Sequence, residues 1–76
     1  MQVNIIIFGQ LRDLLGENFM LSDITDTNSL IKTLNERFPQ LADSKYVMAV
    51  NKKIVTENIS LTNNSTVALL PPFSGG

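Results

Sequence analysis

Apolar and polar positions alternate from Gln2 to Phe8, with Val3, Ile5 and Ile7 on one face at period two. β-Branched residues dominate this stretch, so it is predicted as a strand. Ile6 and Phe8 make its second face partly apolar, which places the strand centrally or covered on both sides. Gly9 ends the alternation. Leu11, Leu14 and Leu15 then recur at i, i+3 and i+4, the spacing of a short helix, with Gly16 where a left-handed C-terminal cap belongs. Asn18 to Leu21 is expected to be a second strand, with Phe19 and Leu21 on a shared face.

Thr25-Asp26-Thr27-Asn28 is dense in side chains that accept hydrogen bonds from the free N–H groups of a helix start. Leu30, Ile31, Leu34 and Phe38 follow at helical spacing, with Lys32, Asn35 and Glu36 off that stripe. This is the predicted main helix, and Pro39 stops it by disfavouring helical dihedrals in the preceding residue. Tyr46 to Val50 is predicted as a strand, Asn51-Lys52 as a two-residue turn and Lys53-Ile54-Val55 as its antiparallel return. Ile59 and Leu61 suit a local packing segment, and Asn63-Asn64-Ser65 a turn. Thr66 to Leu70 is nearly all apolar, a buried last strand, and Pro71-Pro72 ends its pairing because neither residue can donate to a ladder. Strands before and after one long helix predict an α+β fold with the helix on one face of a mixed sheet of about five strands. The most apolar strands, first and last, are expected side by side and parallel in its centre, the β-grasp arrangement. One domain over 1–70 is expected, with a C-terminal tail over 71–76.

Composition narrows what such a domain can do. At 76 residues the core is small, which makes a partner protein a reasonable expectation. There is no Cys and no His, so disulfides, structural zinc, cysteine nucleophiles and His-based triads are excluded. The formal net charge is -1, without the basic excess of a non-specific nucleic-acid binder. Ile5 to Phe8 is too short for a membrane span or a signal sequence, so no membrane association and a cytoplasmic location are expected. Asp13 and Glu17 suit solvated or capping carboxylates, and Lys52-Lys53 suits solubility and edge protection.

One feature resists that bland description. Gly75-Gly76 ends the sequence, leaving a terminal carboxylate free of side-chain bulk. Such a tail can thread a narrow channel and present its carboxylate to a reacting phosphate or thiol. Pro71 and Pro72 hold its base extended. Phe73 has two readings, a local pack-back or an anchor in a partner's pocket. The alternative for the whole tail is an ordinary frayed terminus.

Four segments carry a family resemblance. Phe8-Gly9-Gln10-Leu11-Arg12-Asp13-Leu14-Leu15-Gly16 resembles a Phe-x-x-x-Arg-(Glu/Asp)-Leu-x-Gly signature. Ala49-Val50-Asn51-Lys52-Lys53-Ile54-Val55 resembles an Ala-Val-Asn hairpin, and Leu61 to Ala68 resembles a Leu-x-x-x-(Asp/Thr)-x-Val-Ala segment with Ser65 at the Asp/Thr position. Pro71-Pro72-Phe73-Ser74-Gly75-Gly76 is similar to a Pro-Pro-x-x-Gly-Gly end. Together they resemble the small, sulfur-carrier subunit of molybdopterin synthase, a ubiquitin-like β-grasp family related to the thiamine sulfur carrier.

The resemblance implies a non-catalytic carrier that binds no cofactor itself. An adenylyltransferase related to ubiquitin-activating enzymes would adenylate the Gly76 carboxylate with ATP, and a sulfur donor protein would convert it to a thiocarboxylate. The tail would then enter the synthase's large subunit and give its sulfur to cyclic pyranopterin monophosphate, in molybdenum cofactor biosynthesis. Two small and two large subunits are the implied assembly. By the same resemblance Gly76 bears the sulfur, Gly75 keeps the passage narrow, and Pro71, Pro72, Phe73 and Ser74 are tail contacts. Phe8, Ile54 and Leu70 form an apolar docking patch, and Arg12 contacts a partner or braces the helix. The sequence departs from the family pattern at Gly9, where Ala is frequent, and at Leu69-Leu70, where aromatics are common. Three rivals remain: a ubiquitin-like modifier joined through its terminal glycine to lysines, the thiamine carrier, and an interaction domain with an inert tail. The extra segment Gln10 to Gly16 counts against the thiamine carrier.

Overall fold

A computed structural model describes residues 2–72. In chain order the elements are β1 (Gln2–Ile7), α1 (Leu11–Leu15), β2 (Phe19–Ser22), α2 (Thr27–Arg37), a 3-10 helix (Pro39–Asp43), β3 (Val47–Val50), β4 (Lys53–Val55) and β5 (Ser65–Leu70). They form one five-stranded sheet in the order β2-β1-β5-β3-β4. As expected, β1 and β5 are neighbours and parallel, with Val3 opposite Ser65 and Ile7 opposite Leu69. The other pairs are antiparallel. No helix among the described residues is long and apolar enough to cross a membrane.

The period-two pattern of β1 and β5 divides the sheet into two unlike faces. Val3, Ile5, Val67 and Leu69 point to the inner face and are fully buried. Across that face lies α2, which buries Leu30 and Leu34 completely, one helical stripe at i and i+4. Each such side chain contributes about 1.5–3 kcal/mol relative to leaving it in water. Leu11 and Leu15 of α1, with Ile24 and Leu61 of the loops, close the ends of the same core. Phe19 and Phe38 meet at the rim, ring centroids 5.7 Å apart.

Asn side chains stitch the termini of these elements. Asp26 is the N-cap of α2, its Oδ1 accepting from the Ser29 N–H at 2.8 Å. Asn58 reinforces that start from 32 residues away: its Oδ1 accepts from the Asn28 N–H at 2.8 Å and its Nδ2 donates to Asp26 at 3.3 Å. The hairpin turn at Asn51-Lys52 has positive φ at both residues, 49° and 75°, the backbone of the favoured two-residue hairpin turn.

Several boundaries differ from expectation. Phe8 lies just outside β1, although its N–H still donates to the Leu69 carbonyl at 3.0 Å. Asn18 is outside β2 because its side chain accepts from the Ile7 N–H at 2.9 Å, replacing a ladder bond. Tyr46 precedes β3, and Ser65 opens β5 and is buried. Gly16 has positive φ as expected, but its ψ of -149° puts it outside the left-handed helical region. Pro39 ends α2 and also opens the 3-10 helix, because its fixed φ suits a first helical position. That helix seats the fully buried Leu41.

Candidate functional site

The outer face of the sheet carries the patch predicted from Phe8, Ile54 and Leu70. Residues directly opposite across paired strands share a face. Ile6 pairs with Ala68, Ala68 with Ala49 and Ala49 with Ile54, giving an apolar row across four strands. With strands about 4.8 Å apart, that row spans about 14 Å. One step along, Val47 pairs with Leu70, and Phe8 follows Ile7 on the other side of β5. Phe8 is 45% exposed and Ile54 60%, while Leu70, the last residue of β5, is half-buried. The tertiary structure therefore brings the three residues onto one surface. Ile6, Val47, Ala49 and Ala68 fill the space between them and were not singled out from the sequence as site residues. For Ile6 a signal existed in the apolar second face of β1. For the others only strand register reveals the face.

The chain leaves this surface at its own edge. Leu70 ends β5, and Pro71 is half-buried while Pro72 is exposed. Both prolines line an open groove of about 530 Å³ together with Gln10, Leu11, Ser44 and Lys45. Phe73, Ser74, Gly75 and Gly76 lie outside the described residues, so their predicted roles are not placed here. Arg12 sits on α1 with its side chain exposed, and its backbone N–H donates to the Gly9 carbonyl at 3.1 Å. It is not part of the row containing Ile6 and Ile54, and it does not line the groove at the prolines.

A second groove, of about 500 Å³, runs between α2 and the β3–β4 hairpin and shares Val47 and Ile54 with the apolar face. Tyr46 also lines it, and burial pushes that phenol above its ordinary pKa. Asp26, at the start of α2, is held below the usual carboxylate value by its hydrogen bonds to Ser29 and then to Asn58. Nothing in either setting resembles an acid–base pair in a cleft. What the described residues do present is an exposed apolar sheet face with Pro71 and Pro72 at its edge.

A ubiquitin-like β-grasp domain, with an apolar sheet face beside the exit of its C-terminal segment, is the class that this arrangement defines. Comparison with known proteins gives the family. The ThiS family profile matches residues 5–76, and the chain belongs to that family. A molybdopterin synthase sulfur carrier subunit from Aedes aegypti is 31% identical over 87 residues, covering 99% of this chain and 89% of the relative. One from Mycobacterium tuberculosis is 30% identical over 81 residues, covering 99% and 98%. Among solved structures, a putative molybdopterin converting factor subunit 1 from Pyrococcus furiosus superposes with a TM-score of 0.84 at 21% identity, covering 96% of this chain and 99% of that one. A chain from the Helicobacter pylori complex of subunits 1 and 2 of molybdopterin-converting factor gives 0.76 at 26% identity over the whole of both chains. A small archaeal modifier protein from Methanosarcina acetivorans shares the fold, with a TM-score of 0.81 at 20% identity over 99% and 96% of the two chains.

Proposed function

We propose that the chain is the sulfur-carrier subunit of a molybdopterin synthase. The observation that carries this is the apolar outer face around Phe8, Leu70 and Ile54, lying where the chain departs toward Gly76. A carrier needs a surface that docks and a chain end that travels, and these two are adjacent. The Helicobacter pylori complex supports the synthase large subunit as the partner, and the two relatives at 30–31% identity support this pathway over thiamine synthesis.

In this role the chain contributes an acyl group and its partners contribute the catalysis. The Gly76 carboxylate attacks the α-phosphorus of ATP on an activating adenylyltransferase, and pyrophosphate leaves. The resulting mixed anhydride has AMP as a good leaving group, where a free carboxylate has none. A hydrosulfide equivalent from a sulfur donor protein then attacks the acyl carbon, AMP departs, and a thiocarboxylate remains. Docked on the large subunit, that thiocarboxylate supplies sulfur to cyclic pyranopterin monophosphate. Paired glycines at the end keep the segment slim enough to enter a closed active site. The carrier binds no cofactor; ATP belongs to the activating partner. The assembly is a heterotetramer of two small and two large subunits, and the setting is cytoplasmic.

Intact-mass measurement tests this role. Incubated with ATP, activating enzyme and sulfur donor, the protein should gain the mass difference between sulfur and oxygen. Deleting Gly76 should abolish both the gain and sulfur transfer while leaving the fold intact. A product that stays an unmodified carboxylate overturns the carrier role. Bands of higher mass on other proteins, joined through lysine, would instead mark a ubiquitin-like modifier, which shares this fold and the same activation step.

A further inference from the structure

We propose that Gly9 is a positioning residue for the C-terminal tail: its bare Cα seats the Pro71 ring, and that contact sets the direction in which the chain leaves the sheet. The observation is steric. A Cβ built on Gly9 would lie 2.7 Å from Pro71 Cγ and 3.3 Å from Pro71 Cδ. Gly9 also has a φ of 60°, so in this chain both its backbone and its surroundings favour glycine. The seat is a feature of this chain rather than of family members with Ala at the matching position.

Backbone N–H donation cannot aim the tail base. The β1–β5 ladder reaches Ile7 opposite Leu69, and the Phe8 N–H donates once more to the Leu69 carbonyl. On the other side β3 pairs with β5 as far as Leu70. The next two residues are Pro71 and Pro72, which have no N–H to continue either ladder. Their direction therefore depends on fixed φ angles and on what the rings touch. Gly9 is itself held, because its carbonyl accepts from the Arg12 N–H at the start of α1. Pro71 thus rests on a braced backbone and not on a mobile side chain. Gly16 supplies an internal comparison: its φ is 84°, yet a Cβ there would meet nothing within 4 Å. Alanine at Gly16 brings backbone strain alone, and alanine at Gly9 brings strain and displacement of Pro71.

The geometry stands by itself, while its consequence for turnover rests on the carrier role proposed above. The test uses the full chain as wild type, Gly9→Ala, Gly16→Ala, Pro71→Ala and the Gly9→Ala/Pro71→Ala double variant. A spin label on Lys45→Cys, unique because the chain has no Cys, reports tail direction through broadening of the Phe73, Ser74 and Gly75 amides. ATP–pyrophosphate exchange by the activating adenylyltransferase reports delivery of the carboxylate. Gly9→Ala should change the broadening pattern and lower kcat about tenfold with KM unchanged, because docking survives and aim does not. Gly16→Ala should change neither. In the Pro71→Ala background, Gly9→Ala should add no further effect, since the ring it displaces is gone. An unchanged broadening pattern in Gly9→Ala overturns the inference, as does an equal effect of Gly16→Ala or an undiminished effect without the Pro71 ring. Absence of exchange with wild-type protein overturns the carrier role instead, and the broadening measurement still decides the inference.

Discussion

Truncating Ile54 should weaken docking far more than folding. Ile54 lies on edge strand β4 opposite Ala49, and 60% of it is exposed. Full burial of an isoleucine side chain is worth about 1.5–3 kcal/mol. The fraction already covered within the domain then supports the fold by about 1 kcal/mol or less. The remaining exposed fraction represents about 1–2 kcal/mol available to a covering partner. Ile54→Ala should accordingly raise Kd for the synthase large subunit by about 5- to 30-fold. It should lower unfolding free energy by no more than about 1 kcal/mol. Calorimetric titration gives the first quantity and urea unfolding of the free chain the second. A Kd within about twofold of wild type removes Ile54 from the interface. A stability loss above about 2 kcal/mol makes it a core residue and refutes the division of the two sheet faces.

Asn58→Ala removes acceptance from the Thr27 hydroxyl and the Asn28 N–H and donation to Asp26, and should cost about 1–2 kcal/mol in urea unfolding; an unchanged midpoint refutes the clasp. Acid should weaken the same junction. Hydrogen bonds to Ser29 and Asn58 hold the Asp26 carboxylate below its ordinary pKa in the fold, so its contribution is present above that ordinary value and lost as pH falls through the folded pKa. Urea midpoints taken across the acid range should fall less steeply for Asp26→Ala than for wild type, and parallel slopes would show that the cap does not titrate with folding.

The elements were legible in the sequence where local pattern and local physics agree. Alternation at Val3, Ile5 and Ile7 identified β1, the Leu30–Leu34 stripe identified α2, and Asn51-Lys52 marked the turn. The 3-10 helix was missed because Pro39 stops one helix and starts another by the same fixed φ. The Asn58 clasp was invisible because Asn58 contacts Asp26, Thr27 and Asn28 across some thirty residues, and a lone Asn before Ile59 reads as a turn residue. Phe8, Ile54 and Leu70 came from family likeness. Their shared surface follows from strand pairing, and a shift of one residue in β4 would send Ile54 to the other face.

By itself, the sequence determined which side-chain chemistries are absent and where its Gly-Gly pair lies. The sequence has neither Cys nor His, so thiol and imidazole chemistry are ruled out, and it carries a Gly75-Gly76 pair after Pro71-Pro72. It also determined the alternation that makes β1 and β5 the spine of the sheet. Tertiary structure alone decided that Ile6, Ala68, Ala49 and Ile54 line up as one row, because register couples residues distant in the chain. It alone decided that Gly9 lies under Pro71, because parallel pairing returns the end of β5 to the end of β1. Composition and periodicity act along the chain, whereas a docking face and the direction of a tail are relations between strands.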